Sequence, residues 1–298
     1  MRIAVTGATG VLGQEAVAAL VAAGHEVTGV TRRDRGIPVI EGRGARAAVA
    51  DVFDASDLAR AFANHDVVVN TLAHLPIGMT AMRPLAWRED DRLHLEASAA
   101  IAEAARISGV QRLIQESTVF MYPDNGADWI GEDEPLSVRH QAFRPRVREM
   151  RAAVDFATGG RSAVILRLGQ LFGRDRQTTH ALKAVREGEA ILLGKPDNYI
   201  TLLHHRDAGQ AFVSALRARS GFYNVGGEPI TRGRWAKDLG REAKADKPAR
   251  FIPEIAQTIV GPRLDVQRRS LRVSSVRFMS ETGWRPQFGP STPGWSRL

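Results

Sequence analysis

The sequence contains no cysteine, and this absence excludes several kinds of chemistry at once. Disulfide bonds, thiolate nucleophiles, cysteine-ligated zinc and iron–sulfur clusters all need a cysteine sulfur. Hydrophobic runs are short, and none approaches the roughly 20 apolar residues that a membrane-spanning helix needs. The first residues, MRIAVTGATG, lack the basic and apolar regions of a secretion signal. We therefore expect a cytoplasmic protein without a membrane partner.

Lysine is also scarce, because only five of the 41 basic residues are lysine and the first of them is Lys183. Arginine therefore carries most of the net charge of +8. The arginines are spread along the whole chain, which argues against a nucleic-acid-binding face. A planar guanidinium binds carboxylates and phosphates through two hydrogen bonds. We expect a small-molecule substrate, for which an anionic group would be suitable, and no nucleic-acid partner.

Short apolar runs alternate with alanine-rich stretches over the first part of the 298-residue chain. This alternation is typical of a parallel sheet whose strands are connected by helices. Ser56 is expected to cap a helix that begins at Asp57. The pattern predicts strands at Arg2–Thr6, Glu26–Thr31, Ala47–Asp51, Asp66–Thr71, Arg112–Glu116, Ser162–Leu168 and Phe222–Val225, and helices at Val11–Ala23, Asp90–Ser108, Arg144–Ala157 and Asp207–Arg219.

A glycine-rich turn, GATGVLG, follows the first predicted strand and opens the first predicted helix. Gly7 allows a tight turn, Gly10 lets the backbone approach a pyrophosphate, and Gly13 lets the helix pack on the strand. The helix N-terminus then faces the anion. No lysine follows the turn, which excludes a Walker-type phosphate loop. The turn predicts a dinucleotide-binding site made by Gly7, Thr9, Gly10, Val11, Leu12 and Gly13.

The end of the second predicted strand distinguishes the two nicotinamide dinucleotides. An acidic residue there accepts hydrogen bonds from the ribose 2′-hydroxyl, whereas arginine accommodates a 2′-phosphate. This chain has Arg32 and Arg33 at that position, followed by Asp34. The two arginines favour NADP(H) over NAD(H), and the alternative is that both are solvated and Asp34 binds the ribose.

Other segments follow the turn in a recognisable order: Ala50-Asp51-Val52, Asn70-Thr71-Leu72-Ala73, Glu116-Ser117-Thr118, the loop from Arg167 to Gly173, and Thr282-Gly283-Trp284-Arg285-Pro286. Together with the turn, they resemble the extended short-chain dehydrogenase/reductase family, which includes NAD(P)-dependent epimerases, dehydratases and reductases. By this resemblance, Asp51 binds the adenine amino group with Val52 beside it. Leu72 and Ala73 pass the cofactor ribose and pyrophosphate, and Gly169 borders the nicotinamide.

The family normally uses a tyrosine and a lysine four residues later, with a serine that polarises the substrate oxygen. The tyrosine acts as acid or base, and the lysine lowers its pKa. Tyr122, Tyr199 and Tyr223 are the only tyrosines, and no lysine follows any of them at that spacing. Counting from Ser117 places Phe143 and Val147 at the two positions. The pair that normally moves the proton is therefore replaced by hydrocarbon.

Three side chains are candidates for the chemistry that remains. Ser117 matches the family serine and is expected to polarise a substrate oxygen. Tyr122 and His140 are alternative proton donors, because histidine titrates near neutrality. Each has a structural alternative, since Tyr122 precedes a proline and is suited to packing, and His140 is suited to the surface. Water is a further proton donor.

Substrate contacts are expected from three further residues. His74 begins the segment where the family has its substrate loop, and Gln170 lies beside the nicotinamide. Arg148 belongs to a group of arginines on the predicted helix after residue 143, which either binds an anionic substrate or is a solvated helix face. We predict no metal site, because His204 and His205 lack a matching carboxylate pattern.

We predict an α/β fold: a doubly wound parallel (Rossmann) sheet with a small C-terminal substrate-binding region. Residues 1–170 with about 200–226 form the dinucleotide-binding domain, and residues 171–199 and 227–298 form the substrate-binding region. The resemblance implies an NADP(H)-dependent oxidoreductase or epimerase-like enzyme that acts on a hydroxyl or carbonyl, with a homodimer as one option. A non-catalytic, redox-sensing NADP(H)-binding regulator and a non-redox isomerase or lyase are the alternatives.

Overall fold

A computed structural model describes residues 1–137, 143–257 and 261–298. The strands in these ranges are β1 (Arg2–Thr6), β2 (Glu26–Thr31), β3 (Arg46–Val49), β4 (Val67–Asn70), β5 (Arg112–Thr118), β6 (Trp129–Ile130), β7 (Ser162–Leu168), β8 (Gln170–Phe172), β9 (Ala190–Leu192), β10 (Tyr199–Ile200), β11 (Leu202–His204), β12 (Gly221–Val225), β13 (Ile230–Thr231), β14 (Arg250–Phe251) and β15 (Arg272–Val273).

The helices are α1 (Val11–Ala22), α2 (Ile37–Glu41), α3 (Ala55–Ala61), α4 (Arg88–Arg92), α5 (Ser98–Ile107), α6 (Arg144–Phe156), α7 (Arg176–Arg186), α8 (His205–Ala215), α9 (Arg232–Ala243), α10 (Glu254–Gln257), α11 (Pro262–Asp265) and α12 (Val276–Thr282). A short π-helical turn, Leu93–Ala97, connects α4 to α5 without a break. The long helix predicted over this stretch is therefore present, with a change of winding inside it.

Seven strands form one parallel sheet in the order β12-β7-β5-β4-β1-β2-β3. Every neighbouring pair is parallel, as shown by the register of Ile3 with Val27 on one side of β1 and with Val67 on the other. The apolar run of β4 is fully buried, which is typical of a strand covered on both faces. The predicted doubly wound sheet is confirmed.

Helices cover both faces of this sheet. On one face α1 and α8 pack through Leu12, Val17 and Phe212, and on the other α3, α5 and α6 bury apolar side chains such as Ile101 and Phe156. The strand order reverses between β1 and β4, so their carboxyl ends form the crevice in which open α/β sheets bind ligands.

The start of α3 corrects one prediction. Asp54, rather than Ser56, caps this helix, because its carboxylate accepts hydrogen bonds from the Ser56 N–H at 2.8 Å and the Asp57 N–H at 3.1 Å. The helix accordingly begins at Ala55, two residues before the predicted start. Aspartate and serine both cap helices well, so the sequence alone does not choose between them.

The C-terminal part of the chain has its own apolar cluster, separate from the two that cover the sheet. Phe172, Trp235 and Trp295 form its centre, with ring centroids 5.1–5.8 Å apart. Leu182 of α7 and Leu192 of β9 pack around them. In the described ranges, no helix has the length and apolar character needed to cross a membrane.

Candidate functional site

The glycine-rich turn lies at the carboxyl edge of the sheet, between β1 and α1. Gly7 has a φ of +75°, and a Cβ built on it would lie 2.8 Å from the Thr71 carbonyl oxygen. A Cβ on Gly13 would lie 2.0 Å from the Gly7 carbonyl oxygen. Gly10 precedes α1 without a side-chain cap, so N–H groups of the first turn are open to an anion. The structure places Gly7, Thr9, Gly10, Val11, Leu12 and Gly13 around this helix end.

A cavity of about 450 Å³ lies beside the ends of β2 and β3. Its lining residues are Arg32, Val49, Ala50, Asp51, Phe53, Asp57 and Arg92. Arg32 also forms a 3.0 Å ion pair with Glu89. Arg33 is exposed and does not line the cavity. Val52 is buried next to Asp51. Arg32 and Asp51 therefore line the same cavity, whereas Arg33 does not line it.

Arg92 is a cavity residue that the sequence analysis missed. Its guanidinium lies 3.7 Å from the centre of the Phe53 ring and forms a 2.9 Å ion pair with Glu96. A cation at this distance from a ring face is attracted by the aromatic quadrupole. The cavity therefore has two guanidinium groups, from Arg32 and Arg92.

The segment after β4 follows the edge of the same crevice. The side chain of Asn70 accepts a hydrogen bond from the Leu72 N–H at 3.2 Å, and Asp90 accepts one from the His74 N–H at 2.8 Å. Leu72 is half-buried, whereas Ala73 and His74 are exposed. Buried polar side chains thus fix the path of the backbone and leave the His74 side chain on the outside.

Ser117 lies near the carboxyl end of β5 and is fully buried. Its hydroxyl has no hydrogen-bond partner among the described residues. Phe143 is buried immediately before α6, and Val147 is half-buried in the first turns of that helix. An unpaired buried hydroxyl carries an energetic cost unless a ligand satisfies it. The structure therefore offers one hydrogen-bonding group at this position.

Tyr122 is fully buried a few residues further on. Its hydroxyl donates a 2.8 Å hydrogen bond to the Asn224 side chain and accepts a 2.6 Å hydrogen bond from Arg167. Burial raises the pKa of the hydroxyl against the opposing effect of Arg167. Its ring packs with Ile130 and Val273. These contacts favour a packing role over proton transfer.

The remaining predicted residues lie at different depths. His140 is outside the described residues. Arg148 is exposed on α6, and Gln170 is half-buried in β8. Gly169 lies against the Thr201 carbonyl oxygen, from which an added Cβ would be 2.7 Å away. Gly169 is therefore tightly constrained by the Thr201 backbone.

Five charged or titratable side chains form a buried cluster beneath the crevice, which we call the α6 cluster: Asp90, His94, Glu116, Arg146 and Glu149. His94 Nδ1 lies 2.8 Å from Glu149 and its Nε2 lies 3.2 Å from Asp90. Arg146 lies 3.1 Å from Glu116 and 3.8 Å from Glu149. Buried charges are costly unless they are paired, so these residues depend on one another.

The cluster changes the protonation of its members. Burial and Arg146 act against the charged form of His94, but Glu149 and Asp90 outweigh them and raise its pKa to about 9. Burial raises the pKa of Glu116 to about 7 against the opposing charge of Arg146. Burial disfavours ionisation of Asp90, yet His94 and Arg146 hold its pKa below the usual range. Near neutral pH, His94 is therefore charged, and burial makes Glu116 harder to ionise than an exposed glutamate.

Hydrogen bonds connect this cluster to the strands. Gln115 donates to Glu149 at 2.8 Å and accepts from Asn70 at 2.9 Å. Asn70 in turn accepts from the Thr6 hydroxyl at 2.7 Å. The network extends from the end of β1, through β4 and β5, to α6. It fixes the carboxyl edge on which the glycine-rich turn and Ser117 lie.

The chain was compared with protein-family models and with known proteins. The model of the NAD dependent epimerase/dehydratase family matches residues 3–226. This chain belongs to that family. A 3-diazoavenalumate denitrifying reductase of a Streptomyces species is 30% identical over 99% of this chain and 98% of its own length. Membership of the extended short-chain dehydrogenase/reductase group is thus confirmed, and the protein is an enzyme of this kind.

Solved structures support the same fold for this epimerase/dehydratase family member. UDP-glucose 4-epimerase from Thermotoga maritima, with UDP-glucose, matches with a TM-score of 0.80 at 20% identity, over 99% of this chain and 97% of that chain. UDP-glucose 4-epimerase from Thermus thermophilus, in complex with NAD, has a TM-score of 0.78 at 22% identity, over 99% and 97%.

This family member combines an intact glycine-rich turn with a buried charge cluster that the sequence analysis did not find. Glu116 was noticed only as the residue before Ser117. The carboxylate and arginine at positions 149 and 146 have the i, i+3 spacing that places two side chains on one helix face. That spacing was the available signal, but exposed helices show it as well. For His94 the available signal was the i, i+4 spacing to Asp90, whereas its second partner, Glu149, lies 55 residues away in sequence.

Proposed function

We propose that this chain is an NADP(H)-dependent oxidoreductase that exchanges a hydride with a carbon of a small molecule held at Ser117. The observation that carries the proposal is the Ser117 hydroxyl, which is buried at the carboxyl edge of β5 without a protein partner. A substrate oxygen would satisfy it. When bound, the nicotinamide supplies or accepts the hydride.

The residues present fit such a cofactor. Gly7 and Gly13 leave a cradle that a Cβ would fill, and the uncapped start of α1 is open to the pyrophosphate. Asp51 lines the cavity in which the adenine would lie. Arg32 lines the same cavity, and its guanidinium would bind the 2′-phosphate. Arg32 favours NADP(H) over NAD(H), although the Thermus relative was solved with NAD.

Ser117 would donate a hydrogen bond to the substrate oxygen and stabilise negative charge that develops there. Phe143 and Val147, at the positions where the resemblance places the tyrosine and the lysine, cannot donate a proton. The proton is expected from His140 or water. His74, Gln170 and Arg148 are the residues predicted to contact the substrate. The substrate would react at a hydroxyl or carbonyl group.

A second acceptor class follows from the two hydrocarbon positions. The Streptomyces relative is a reductase named for a diazo compound and for denitrification. Hydride addition to a protonated diazo or diazonium group, followed by loss of N₂, forms no alkoxide. Such a reaction needs no tyrosine to protonate an oxygen, so Phe143 and Val147 would not impair it. We propose diazo reduction as the alternative to carbonyl reduction.

Rapid-mixing absorbance at the reduced-nicotinamide band tests the function. The purified chain is loaded with NADPH and mixed with panels of aldehydes, ketones and aryl diazonium salts, and wild type is compared with Ser117→Ala. We expect NADPH to be oxidised by compounds of one class, either the aldehydes and ketones or the aryl diazonium salts. Ser117→Ala should lower the rate on a carbonyl by about 10²-fold and leave NADPH binding unchanged.

The alternatives give different results in the same experiment. NADPH that binds but is never oxidised by any panel would indicate the regulator, or a non-redox isomerase or lyase. Gly10→Val is the matched control for cofactor binding, because its side chain would enter the turn. Wild-type binding of NADPH by Gly10→Val would contradict the assigned cofactor site.

A further inference from the structure

Arg232 is a buried guanidinium with few partners among the described residues. It is the first residue of α9 and is 3% exposed. Within the described ranges its side chain makes one hydrogen bond, from Nη2 to the Arg269 carbonyl oxygen at 3.1 Å. Nε is buried and has no acceptor in the described ranges. A guanidinium has five N–H donors, so most of its hydrogen-bonding capacity is unused.

The charge of Arg232 is also uncompensated. No carboxylate of the described residues lies within 4.0 Å of it, whereas Arg268 is paired with Asp265 at 3.2 Å. The negative charge of Asp124 acts on Arg232 only from a longer distance. The two carboxylate oxygens of Asp124 accept hydrogen bonds from the N–H groups of Gly126 and Ser270. Burial of an unpaired charge is strongly unfavourable. Burial accordingly lowers the pKa of Arg232 to about 10.

The backbone leaves little room on one side of this guanidinium. Gly194 has a φ of +84°, and a Cβ there would lie 3.1 Å from Arg232 Nε and 2.8 Å from the Arg268 carbonyl oxygen. Nη1 has no protein acceptor in the described chain and is not fully enclosed. The Nε edge of the guanidinium is therefore enclosed by the Gly194 backbone, and Nη1 lies on the other edge.

Arg232 is connected to the loop that follows Ser117. Arg269, whose carbonyl accepts from Arg232, donates from its own side chain to the Tyr122 carbonyl oxygen at 2.7 Å. Tyr122 follows β5 by only a few residues. Two hydrogen bonds through Arg269 therefore connect Arg232 to the segment that follows β5. Arg148, the arginine expected to bind an anion, is exposed to water instead.

We propose that Arg232 is the anchor of an oxyanion subsite, where a carboxylate or phosphate group of the substrate accepts hydrogen bonds from its free N–H groups. This deepens the proposed function, on which its assignment to the substrate rests. The oxyanion would accept from Nη1, which has no acceptor among the described residues, and the bond would be charge-assisted. It would also supply the charge that the described residues around Arg232 do not.

Anion titration of the whole chain tests the subsite. Thermal unfolding is followed while sodium phosphate or sodium acetate replaces chloride at constant ionic strength, with and without saturating NADP⁺. The variants are Arg232→Met and Arg234→Met, which remove one positive charge from the same helix; Arg234 is exposed and paired with Asp238. We expect a saturable rise of the midpoint in wild type and Arg234→Met. In Arg232→Met the apparent Kd should be weaker by about tenfold or more.

The stability without added anion gives a second readout. If Arg232 awaits a ligand, Arg232→Met should unfold at the same or a higher temperature than wild type, because an unpaired buried charge has been removed. A lower midpoint together with an unaltered phosphate and acetate response would overturn the proposal and give Arg232 a structural role. Should Arg232→Met not fold, Arg232→Lys retains the charge but loses Nη1, and it should fold and bind more weakly.

The two anions distinguish the sources of the oxyanion. A response to phosphate alone indicates a phosphorylated substrate, and a response to acetate as well indicates a carboxylate. Absence of any Arg232-dependent response to either anion contradicts the subsite. Failure of NADP⁺ to bind would contradict the proposed function, yet the response that depends on Arg232 would persist, so the two failures can be told apart.

Discussion

The side chains available at the carboxyl end of β5 determine what chemistry can follow. The Ser117 hydroxyl has no protein partner among the described residues, and the two positions at which the family resemblance places a tyrosine and a lysine hold Phe143 and Val147. A hydroxyl can polarise an oxygen, but its ordinary pKa makes it a poor proton donor. The reaction must therefore obtain its proton elsewhere, or proceed without protonating an oxygen. The lack of a tyrosine proton donor applies equally to a carbonyl substrate and to a diazo substrate.

The glycine-rich turn should tolerate no side chain at Gly13. Gly13→Ala places a Cβ against the Gly7 carbonyl oxygen, 2.0 Å away before relaxation, and we expect a loss of about 3 kcal/mol or more. Gly109→Ala is the control, because Gly109 has a φ of +75° but open space around it, so only about 1–2 kcal/mol should be lost. Urea unfolding measures both. Equal losses would mean that the close approach at Gly13 relaxes freely.

Arg32 should discriminate between the two dinucleotides. Replacing it in Arg32→Gln removes the guanidinium that lines the cavity, and we expect NADP⁺ to bind about tenfold or more weakly, with NAD⁺ unaffected. Fluorescence or calorimetric titration measures both affinities. Arg33→Gln removes the same charge from a side chain outside the cavity and should have a smaller effect. Equal weakening of NADP⁺ and NAD⁺ would refute the assignment.

At the scale of elements, α4 carries a different contact on each of its last four residues. Glu89 pairs with Arg32, Asp90 with His94, and Asp91 with Arg263, while Arg92 covers Phe53. The sequence predicted a helix here from Asp90 onward. Helical spacing is compatible with the Asp90–His94 pair, which is i, i+4. It carries no information about Arg32, Arg263 and Phe53, because these partners lie on other elements.

The π turn between α4 and α5 explains why His94 was missed. The chain keeps a helical appearance through Leu93–Ala97, so its hydrophobic spacing predicts one continuous helix. The changed winding nevertheless accompanies a histidine that is fully buried between two carboxylates. Such turns are frequent at functional sites. Burial of a histidine depends on partners remote in sequence, and Glu149 is supplied by α6.

The α6 cluster should make stability decrease as pH rises. The pKa of His94 is raised from 6.5 to about 9 in the folded chain. Its stabilisation is complete below 6.5 and is lost as pH rises through 9. Glu116 acts in the same direction, because its folded pKa of about 7 exceeds 4.5. Asp90 acts oppositely, and its contribution is lost only on acidification.

Urea unfolding between pH 6 and 9.5 measures this effect. Wild type should lose on the order of a few kcal/mol across the range, and His94→Gln should show a flatter profile because the titrating imidazole is gone. His65→Gln is the control, since burial lowers the pKa of His65. A profile of His94→Gln that parallels wild type would contradict the role of His94.

At the scale of the whole molecule, the sheet and its order of elements follow from the sequence. Alternating apolar runs and a glycine-rich turn after β1 predict a parallel sheet covered on both faces. The structure contains this sheet and adds its spatial order, β12-β7-β5-β4-β1-β2-β3. The sequence does not predict that the Ser117 hydroxyl and Arg232 Nε lack hydrogen-bond partners among the described residues. Whether a buried group has a partner depends on which residues surround it in the folded chain, and sequence order does not give those neighbours.

One contact links α4, whose Arg92 lines the cavity together with Arg32 and Asp51, to the C-terminal part of the chain. Arg263 of α11 donates to both oxygens of Asp91 at 2.6 and 2.8 Å, and its guanidinium lies 4.9 Å from the centre of the Trp87 ring. Both side chains are largely shielded, so the pair should be stronger than an exposed ion pair. It should hold α4, and with it Arg92, against the cavity.

A double-mutant cycle of Asp91→Asn and Arg263→Met tests this link. We expect a coupling energy of about 1–2 kcal/mol in urea unfolding. Release of NADPH, followed by displacement, should become faster in each single variant and no faster in the double variant, because either substitution already frees α4. The exposed pair Arg151–Asp155 is the control, and its cycle should give less than about 0.5 kcal/mol. Additive effects of Asp91→Asn and Arg263→Met on release would show that the two parts of the chain move independently.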